Sequence, residues 1–206
     1  MRRFRIVNEL IAEVLARQER CTILDIGGTE YYWRLNGDFL QAHRNRLKIV
    51  TVNLGDAADA QTQDPLFVHT VGDATSAEPY TRHAFDLIHS NSVIEHVGAW
   101  RQIRAMAEQI RGAGRPYYLQ TPNFWFPLEP HFRTLGFQWM PPSWRAQLLL
   151  KKQRGFRAAS HWDEAMESVE SVNLLTIRQM RELFPDAELK YERVGPLIKS
   201  IMAVRN

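Results

Sequence analysis

The stretch ILDIGGTEYYW at residues 23–33 decides the fold, because it joins a short apolar run to two glycines and a polar turn. An apolar run over residues 22–26 that ends at Gly27 and Gly28 is typical of a buried parallel strand entering a tight turn. Glycines let backbone amides approach a ligand closely, and a helix that begins after them favours a carboxylate at its N-terminus. The stretch therefore predicts a ligand site at the end of a first strand.

Further apolar runs and helical patterns alternate along the chain. Apolar residues at three- to four-residue spacing between Phe4 and Leu15 predict an opening helix, which we expect over the sheet edge. The predicted strands are residues 22–26, 48–52, 67–71, 85–89 and 116–120, with an amphipathic helix at about 99–111 before the last. Strands that alternate with helices predict a doubly wound α/β fold.

The C-terminal part adds one helix and two strands. Thr176 is placed to cap a helix that Pro185 ends. Strands are predicted at 188–194 and 199–204, and the Gly195–Pro196 turn between them is short enough for a hairpin. The expected sheet has seven strands and is parallel apart from an antiparallel last strand.

Composition indicates one ordinary globular domain over residues 1–206. The chain is 45% apolar and 24% charged, with a net charge of +3. Its basic residues are scattered except at Lys151, Lys152, Arg154 and Arg157, which we interpret as a solvated basic face rather than a site for phosphate or a membrane. We therefore expect no nucleic-acid partner.

Cysteine usage and hydropathy indicate the cytoplasm. The single cysteine, Cys21, has no partner for an internal disulfide, and the spacing of structural zinc sites is absent from the sequence. Polar residues interrupt the N-terminal segment, so it does not read as a signal peptide. No stretch approaches the roughly 18 apolar residues of a membrane span. The oligomeric state stays open, with a homodimer among the alternatives.

The turn after the first strand differs from a dinucleotide-binding GxGxxG turn. Asp25 precedes the glycines, and Glu30 stands where the third glycine would be. A carboxylate at that place would repel a pyrophosphate and attract a cationic ammonium group. The sequence therefore favours a ligand with an amino-acid end.

Four stretches together resemble the motifs of class I S-adenosylmethionine-dependent methyltransferases of type 11 or type 12. They are ILDIGGT, VTVNL, VGDAT and FDLIHSNSVIEHV, and the resemblance covers about residues 20–123 and 176–204. It implies S-adenosyl-L-methionine as cofactor. The cofactor-binding residues that it implies are Asp25, Gly27, Gly28, Thr29, Asn53, Asp73, Ala74, Asn91 and Ser92.

The resemblance also implies a role for each part of that set. Asp25 and the glycines would contact the methionine end, which Asn91 and Ser92 would flank. Asn53 stands where the family usually has an acid for the ribose hydroxyls, so we expect weaker, uncharged hydrogen bonds there. Asp73 would take the adenine amino group and the Ala74 amide the ring.

Three residues are candidates for catalysis: His96, Glu129 and His131. His96 would lie near the methyl group or cap the next helix. Glu129 and His131 belong to TPNFWFPLEPHF at residues 121–132, which resembles a stretch in some bacterial methyltransferases encoded with glycan and lipid biosynthesis genes. Three roles stay open for this pair: base and orienter, two ligands of a divalent metal completed by Asp163 or His161, or a structural tie. We assign no metal ligand on this evidence.

An aromatic-rich segment at about 121–175 is too long for a plain connection and predicts a substrate lid, with a purely structural insertion as the alternative. Its aromatic residues could stack on an acceptor or pack within the lid: Trp125, Phe126, Phe132, Phe137, Trp139 and Trp144. The expected partner is a small-molecule acceptor, methylated on oxygen or nitrogen, such as a glycan or lipid intermediate. The alternative is a non-catalytic domain that serves as a binding or interaction subunit.

Overall fold

A seven-stranded sheet forms the centre of the computed structural model, which describes residues 2–55, 64–82 and 84–206. Its strands are β1 (Cys21–Ile26), β2 (Leu47–Asn53), β3 (Phe67–Val71), β4 (Leu87–Asn91), β5 (Tyr117–Pro122), β8 (Glu188–Val194) and β9 (Leu197–Arg205). A separate hairpin contains β6 (Leu128–Glu129) and β7 (Thr134–Leu135).

The strand order is β3-β2-β1-β4-β5-β9-β8, with β1 to β5 parallel to one another. β9 runs antiparallel to both of its neighbours. The predicted doubly wound, mostly parallel sheet is confirmed. The antiparallel strand is the last in the chain but lies one position inside the sheet edge, because β8 pairs on its outer side.

Eight helices are assigned in the described residues: α1 (Arg2–Arg17), α2 (Glu30–Arg34), α3 (Gly37–His43), α4 (Glu78–Thr81), α5 (Trp100–Gly112), α6 (Pro142–Lys151), α7 (Trp162–Glu170) and α8 (Ile177–Leu183). None of them is long and apolar enough to cross a membrane. The predicted cap of α8 is present, since the Thr176 hydroxyl accepts from the Gln179 amide and the Gln179 side chain accepts from the Thr176 amide.

The strands bury apolar side chains on both faces, and the two faces belong to separate core clusters. In β1, Ile23 packs with α1 on one face, while Leu24 packs with α5 and α8 on the other. In β5, Tyr118 belongs to the cluster on the α1 face and Leu119 to the cluster on the opposite face. This alternation explains why the central strands read as continuous apolar runs.

Helix α1 covers the middle of the sheet. Its residues Val7 and Ile11 share a core cluster with Ile23, Leu87 and Tyr118, which lie on β1, β4 and β5. The expectation of a helix over the sheet edge was wrong, because the apolar face of α1 faces the central strands, where there is most surface to bury. Cys21 lies in the same cluster, and burial raises the pKa of its thiol to about 12.

The segment between β5 and α8 has a small core of its own. Residues of the β6–β7 region, α6 and α7 form it: Phe132, Phe137, Ala146, Leu149, Ala165, Val169 and Val172. Its two ends lie side by side, since the Phe124 amide donates to the Leu175 carbonyl at 3.0 Å. The segment therefore leaves the sheet and returns to it at one place, beyond the carboxyl end of β5.

Candidate functional site

A cavity of about 320 Å³ lies at the carboxyl ends of β1 to β4. Six of the residues nominated from the sequence line it: Gly27, Asn53, Asp73, Ala74, Ser92 and His96. They come from four separate turns, each of which follows a strand. Open α/β sheets bind their ligands at this edge, where the strand order reverses beside the first strand.

Steric contacts explain both glycines of the first turn. Gly27 has φ +70°, and a Cβ there would lie 2.4 Å from Cγ2 of Val93. A Cβ on Gly28 would lie 1.6 Å from Oδ2 of Asp25. The turn therefore packs directly against Asp25 of β1 and Val93 after β4, so neither Gly27 nor Gly28 can be replaced by a residue with a side chain without a steric overlap.

The Asp25 side chain is fully buried beneath this turn. Its Oδ2 accepts a hydrogen bond from Nε1 of Trp33 at 2.5 Å, and its Oδ1 lies 2.6 Å from Nδ1 of His89. The carboxylate thus joins β1, α2 and β4 and lies outside the described lining of the cavity. The geometry gives Asp25 a structural role in holding the turn, in place of the expected contact with the methionine end.

Glu30 and Thr29 also have local partners. The Glu30 carboxylate contacts Arg34 at 2.8 Å and Nε2 of His69 at 3.0 Å, so it links α2 to β3 rather than presenting a charge to the cavity. Thr29 caps α2 by accepting from the Tyr32 amide. Glu30 is not among the residues described as lining the cavity, so the expected attraction between its carboxylate and an ammonium group has no support there.

Asn53 ends β2 with its amide at the cavity. Its Nδ2 donates to the Gly28 carbonyl at 3.0 Å, which ties the end of β2 to the glycine turn. The side-chain Oδ1 accepts no hydrogen bond from the residues that the structure describes. An asparagine suits this place because an aspartate would set a carboxylate oxygen against the Gly28 carbonyl.

Asp73 and Ala74 form the wall that follows β3. Oδ1 of Asp73 accepts from the amide and the hydroxyl of Thr75, each at 2.8 Å, so the side chain is fixed in a tight turn. The Ala74 carbonyl accepts from the Tyr80 hydroxyl at 3.0 Å. These contacts hold Asp73 and Ala74 at the cavity edge.

Ser92 follows β4 in a left-handed conformation, with φ 57°. Such a backbone costs a non-glycine residue about 1–2 kcal/mol. Two hydrogen bonds to Gln120 of β5 hold it, one from the amide and one from the hydroxyl, each at 2.9 Å. Its neighbour Asn91 is half-buried and lies in register with Gln120. The chain thus turns sharply at the rim of the cavity.

A second cavity, of about 220 Å³, begins on the other side of Ser92. Phe126, Leu128 and Pro130 of the insertion line it, together with His131 and Lys199. Ser92 also lines the first cavity, so the two cavities meet at this residue. Two ligands, one in each cavity, would therefore meet near the left-handed turn at Ser92.

Two histidines from distant parts of the chain meet at this junction. Nε2 of His96 lies 3.0 Å from Nε2 of His131, and the rings are nearly perpendicular. Nδ1 of His96 lies 3.0 Å from the Ser171 carbonyl, and Nδ1 of His131 lies 2.7 Å from Oε1 of Glu129. Burial lowers the pKa of His96. The sequence nominated both histidines, and the structure brings them together.

Glu129 is buried, and its two oxygens have different partners. Oε1 contacts His131, and Oε2 accepts from the Phe132 amide at 2.6 Å. These contacts fit both an orienter of His131 and a structural tie, so the two alternatives stay open. His161, which was considered as a further metal ligand, instead caps α7 by accepting from the Glu164 amide.

Glu95, which adjoins His96 in the chain, was not among the residues predicted for the site. Its side chain is fully buried, and Oε2 accepts from the Thr121 hydroxyl at 2.9 Å. Burial raises the pKa of the Glu95 carboxyl to about 7. An acid next to a histidine after β4 was a visible signal, but its proximity to His131 depends on how the insertion folds back.

The aromatic residues of the insertion divide into three groups. Phe132 and Phe137 are buried and stack on each other, with ring centroids 4.2 Å apart, so they pack the insertion itself. Phe126 lines the second cavity. Trp125, Trp139 and Trp144 are exposed.

Comparisons with known proteins find likeness at the level of structure. Neither a protein-family model nor a curated protein sequence matches the chain. An O-methyltransferase family protein from Burkholderia thailandensis is 14% identical, with a TM-score of 0.55 over 97% of this chain and 55% of that one. LepI, solved in complex with SAM, is 13% identical, with a TM-score of 0.54 over 94% and 46%. The chain thus spans about half the length of these two proteins.

A SAM-dependent methyltransferase from Anabaena variabilis is closer in length. It is 13% identical, with a TM-score of 0.56 over 97% of this chain and 84% of that one. At such identities the likeness is one of fold. This chain has the Rossmann-like fold of the SAM-dependent methyltransferases.

Proposed function

We propose that this chain is an S-adenosylmethionine-dependent methyltransferase that acts on a small molecule. The observation that carries the proposal is the convergence of six residues, nominated from four sequence motifs, on one cavity at the carboxyl ends of the strands. Its volume of about 320 Å³ lies within the roughly 300–1,000 Å³ of small-molecule sites. LepI, which has a similar fold, was solved with SAM.

The lining offers a partner for each part of the cofactor. Asp73 and the Ala74 amide would bind the adenine, since both are held at the edge by their own turn. Asn53 would accept a ribose hydroxyl through Oδ1, because Nδ2 already donates to Gly28. The Gly27 backbone and Ser92 would flank the methionine end, whereas Asn91 lies outside the described lining. Asp25, Gly28 and Thr29 act indirectly, by fixing the turn.

The second cavity would hold the acceptor under the insertion, which then serves as the predicted lid. Its apolar lining by Phe126 and Leu128 and its cation at Lys199 suit a molecule with an apolar body and a polar end, as in a lipid or glycan precursor. S-adenosylmethionine supplies a methyl group on a positively charged sulfur. An acceptor oxygen or nitrogen that takes it must lose a proton, and His96 and His131 lie where the cavities meet.

Calorimetric titration with S-adenosylhomocysteine tests the cofactor assignment. We expect one site per chain. Asp73→Ala should bind about 10- to 100-fold more weakly, because a charge-assisted hydrogen bond is lost. Asp38→Ala, a change at an exposed acid of α3, should leave affinity unchanged. No binding at millimolar ligand would refute the enzyme assignment and favour the non-catalytic alternative.

Methyl transfer itself is tested by following S-adenosylhomocysteine release with hydroxyl- and amine-bearing glycan and lipid precursors. His131→Ala should lower turnover far more than cofactor affinity, because His131 lines the second cavity and is not among the residues described as lining the first. An equal loss of both would place His131 in cofactor binding and contradict the division between the two cavities.

A further inference from the structure

Three side chains near the junction of the two cavities each bring one possible metal-ligand atom close to the other two. They are Glu95, His96 and His131, each of which offers one ligand atom within 4.8 Å of the others. Glu95 and His96 follow β4, whereas His131 follows β6 in the insertion. The cluster forms only when the insertion packs against the strand ends.

The hydrogen bonds at Nδ1 of His96 and His131 determine which nitrogen of each ring carries the proton. Nδ1 of His96 faces the Ser171 carbonyl, which can only accept, so that nitrogen carries the proton. Nδ1 of His131 faces the Glu129 carboxylate, whose other oxygen already accepts from Phe132. A neutral imidazole has one N–H, so both Nε2 atoms present lone pairs to each other across 3.0 Å. That arrangement is repulsive unless something positive lies beside them.

Glu95 adds a second, independent observation that points to a cation. It is fully buried, and Oε1 has no hydrogen-bond partner among the residues that the structure describes. Oε2 is held by the Thr121 hydroxyl. A buried, unpaired carboxylate oxygen is costly, and proteins accept that cost where the group has a ligand to bind.

We propose that Glu95, His96 and His131 bind a divalent transition-metal ion through one carboxylate oxygen and two Nε2 atoms. Nitrogens about 2.1 Å from an ion lie roughly 3.0 Å apart when the two bonds make a right angle, and the observed separation is 3.0 Å. Two imidazoles in a set of three favour Fe²⁺, Co²⁺, Ni²⁺ or Zn²⁺ over Mg²⁺ and Ca²⁺, which prefer oxygen, and Mn²⁺ should bind more weakly than these other transition-metal ions.

The surrounding contacts are those expected around metal ligands. Ligating histidines usually donate their other N–H to a carboxylate or a backbone carbonyl, which fixes the tautomer and the ring. Glu129 does this for His131, and the Ser171 carbonyl does it for His96. Glu129 is therefore a positioning residue.

An ion held by three protein ligands keeps open positions for a substrate. His96 lines the first cavity and His131 lines the second, so those positions lie between the two bound molecules. Resting on the proposed methyltransferase function, this arrangement assigns the acceptor to the hydroxyl-bearing class. The ion would bind the acceptor oxygen and favour loss of its proton to solvent, while the carbon–sulfur bond breaks as the oxygen–carbon bond forms.

The test uses the full chain without an affinity tag, stripped with a chelator, and measures binding of the metal alone. Mn²⁺ titrated by electron paramagnetic resonance should bind at one ion per chain. Co²⁺ should show visible absorption typical of nitrogen ligation, and Mg²⁺ should compete poorly. Absence of stoichiometric binding by Mn²⁺, Co²⁺ and Zn²⁺ would overturn the proposal and leave a shared proton as the explanation of the histidine contact.

Variants locate the ion. His131→Ala and Glu95→Gln should each weaken Mn²⁺ binding by more than the roughly 10- to 100-fold that follows loss of an outer-shell partner. His161→Ala, a change at an exposed histidine outside the cluster, is the matched control and should bind as the wild type does. Circular dichroism confirms that each variant folds, and unchanged binding in folded His131→Ala would refute the site.

The metal site and the methyltransferase function can be refuted independently of each other. Metal binding without S-adenosylhomocysteine binding would refute the function and keep the site. S-adenosylhomocysteine binding without metal binding would refute the site and keep the function.

Discussion

Two buried carboxylates, Asp25 near the end of β1 and Glu95 after the neighbouring β4, differ in the partners of their oxygens. Both oxygens of Asp25 have partners from other elements, Trp33 and His89. Glu95 has one oxygen bound to Thr121 and one without a described partner. A buried carboxylate with partners at both oxygens stabilises the fold, whereas one with an unpartnered oxygen can bind a ligand. Variants at the two places should therefore affect different quantities.

Asp25→Ala should give the largest loss of stability. It removes a buried carboxylate and leaves the Trp33 and His89 donors without their acceptor, so we expect the free energy of unfolding to fall by about 3–5 kcal/mol. Urea denaturation measures this. Asp163→Ala, a change at an exposed acid in the first turn of α7, should cost less than about 1 kcal/mol. A similar small cost at Asp25 would contradict the structural role.

Gly28→Ala tests the same turn from the other side. The added Cβ would overlap Oδ2 of Asp25, so we expect a loss of about 1–3 kcal/mol, the usual range for overpacking. Thermal unfolding measures it. Gly37→Ala is the matched control: its Cβ meets nothing within 4 Å, and it lies in α3. That change should stabilise the chain by roughly 0.5–1 kcal/mol.

Glu129→Gln should lower activity more than stability, in contrast to Asp25→Ala. It removes the negative charge that orients His131, so we expect turnover, and Mn²⁺ affinity with it, to fall by roughly 10- to 100-fold. The free energy of unfolding should fall by only about 1–3 kcal/mol, because glutamine keeps the size and one acceptor oxygen but sets its NH2 group against one of the two donors, His131 or the Phe132 amide. A variant as active as the wild type, or one that is unfolded, would place Glu129 among the structural carboxylates.

Asn53→Asp should have the smallest effect. The change replaces an N–H donor to the Gly28 carbonyl by a carboxylate oxygen, which we expect to cost about 1–2 kcal/mol of stability. Chemical denaturation detects it, with Asn45→Asp at an exposed position as control. An equal effect at the two asparagines would show that the Gly28 contact contributes nothing.

The sequence predicted the sheet well because each strand carries its own local signals. The run at Phe67–Val71 matches β3 at both ends. β4 and β5 run one or two residues later than expected, since strand pairing carries Asn91 and Pro122 into the sheet. Position along the chain could not place α1, because an amphipathic pattern does not say which part of the sheet it faces.

The site was predictable only in part, because motifs name residues without giving the direction of their side chains. Six nominated residues line the cavity, but Asp25 points to the other side of its strand, where Trp33 and His89 arrive from separate segments. The approach of His131 to His96 spans 35 positions of sequence. That contact depends on packing of the insertion, which no local pattern encodes.

A crystal structure with S-adenosylhomocysteine bound tests the central claim most directly. We predict that the adenine lies against Asp73 and Ala74 and that the sulfur lies on the Ser92 and His96 side of the first cavity. Asp25 should stay buried against Trp33 and His89. A ligand bound elsewhere, or an amino group in contact with the Asp25 carboxylate, would contradict the account.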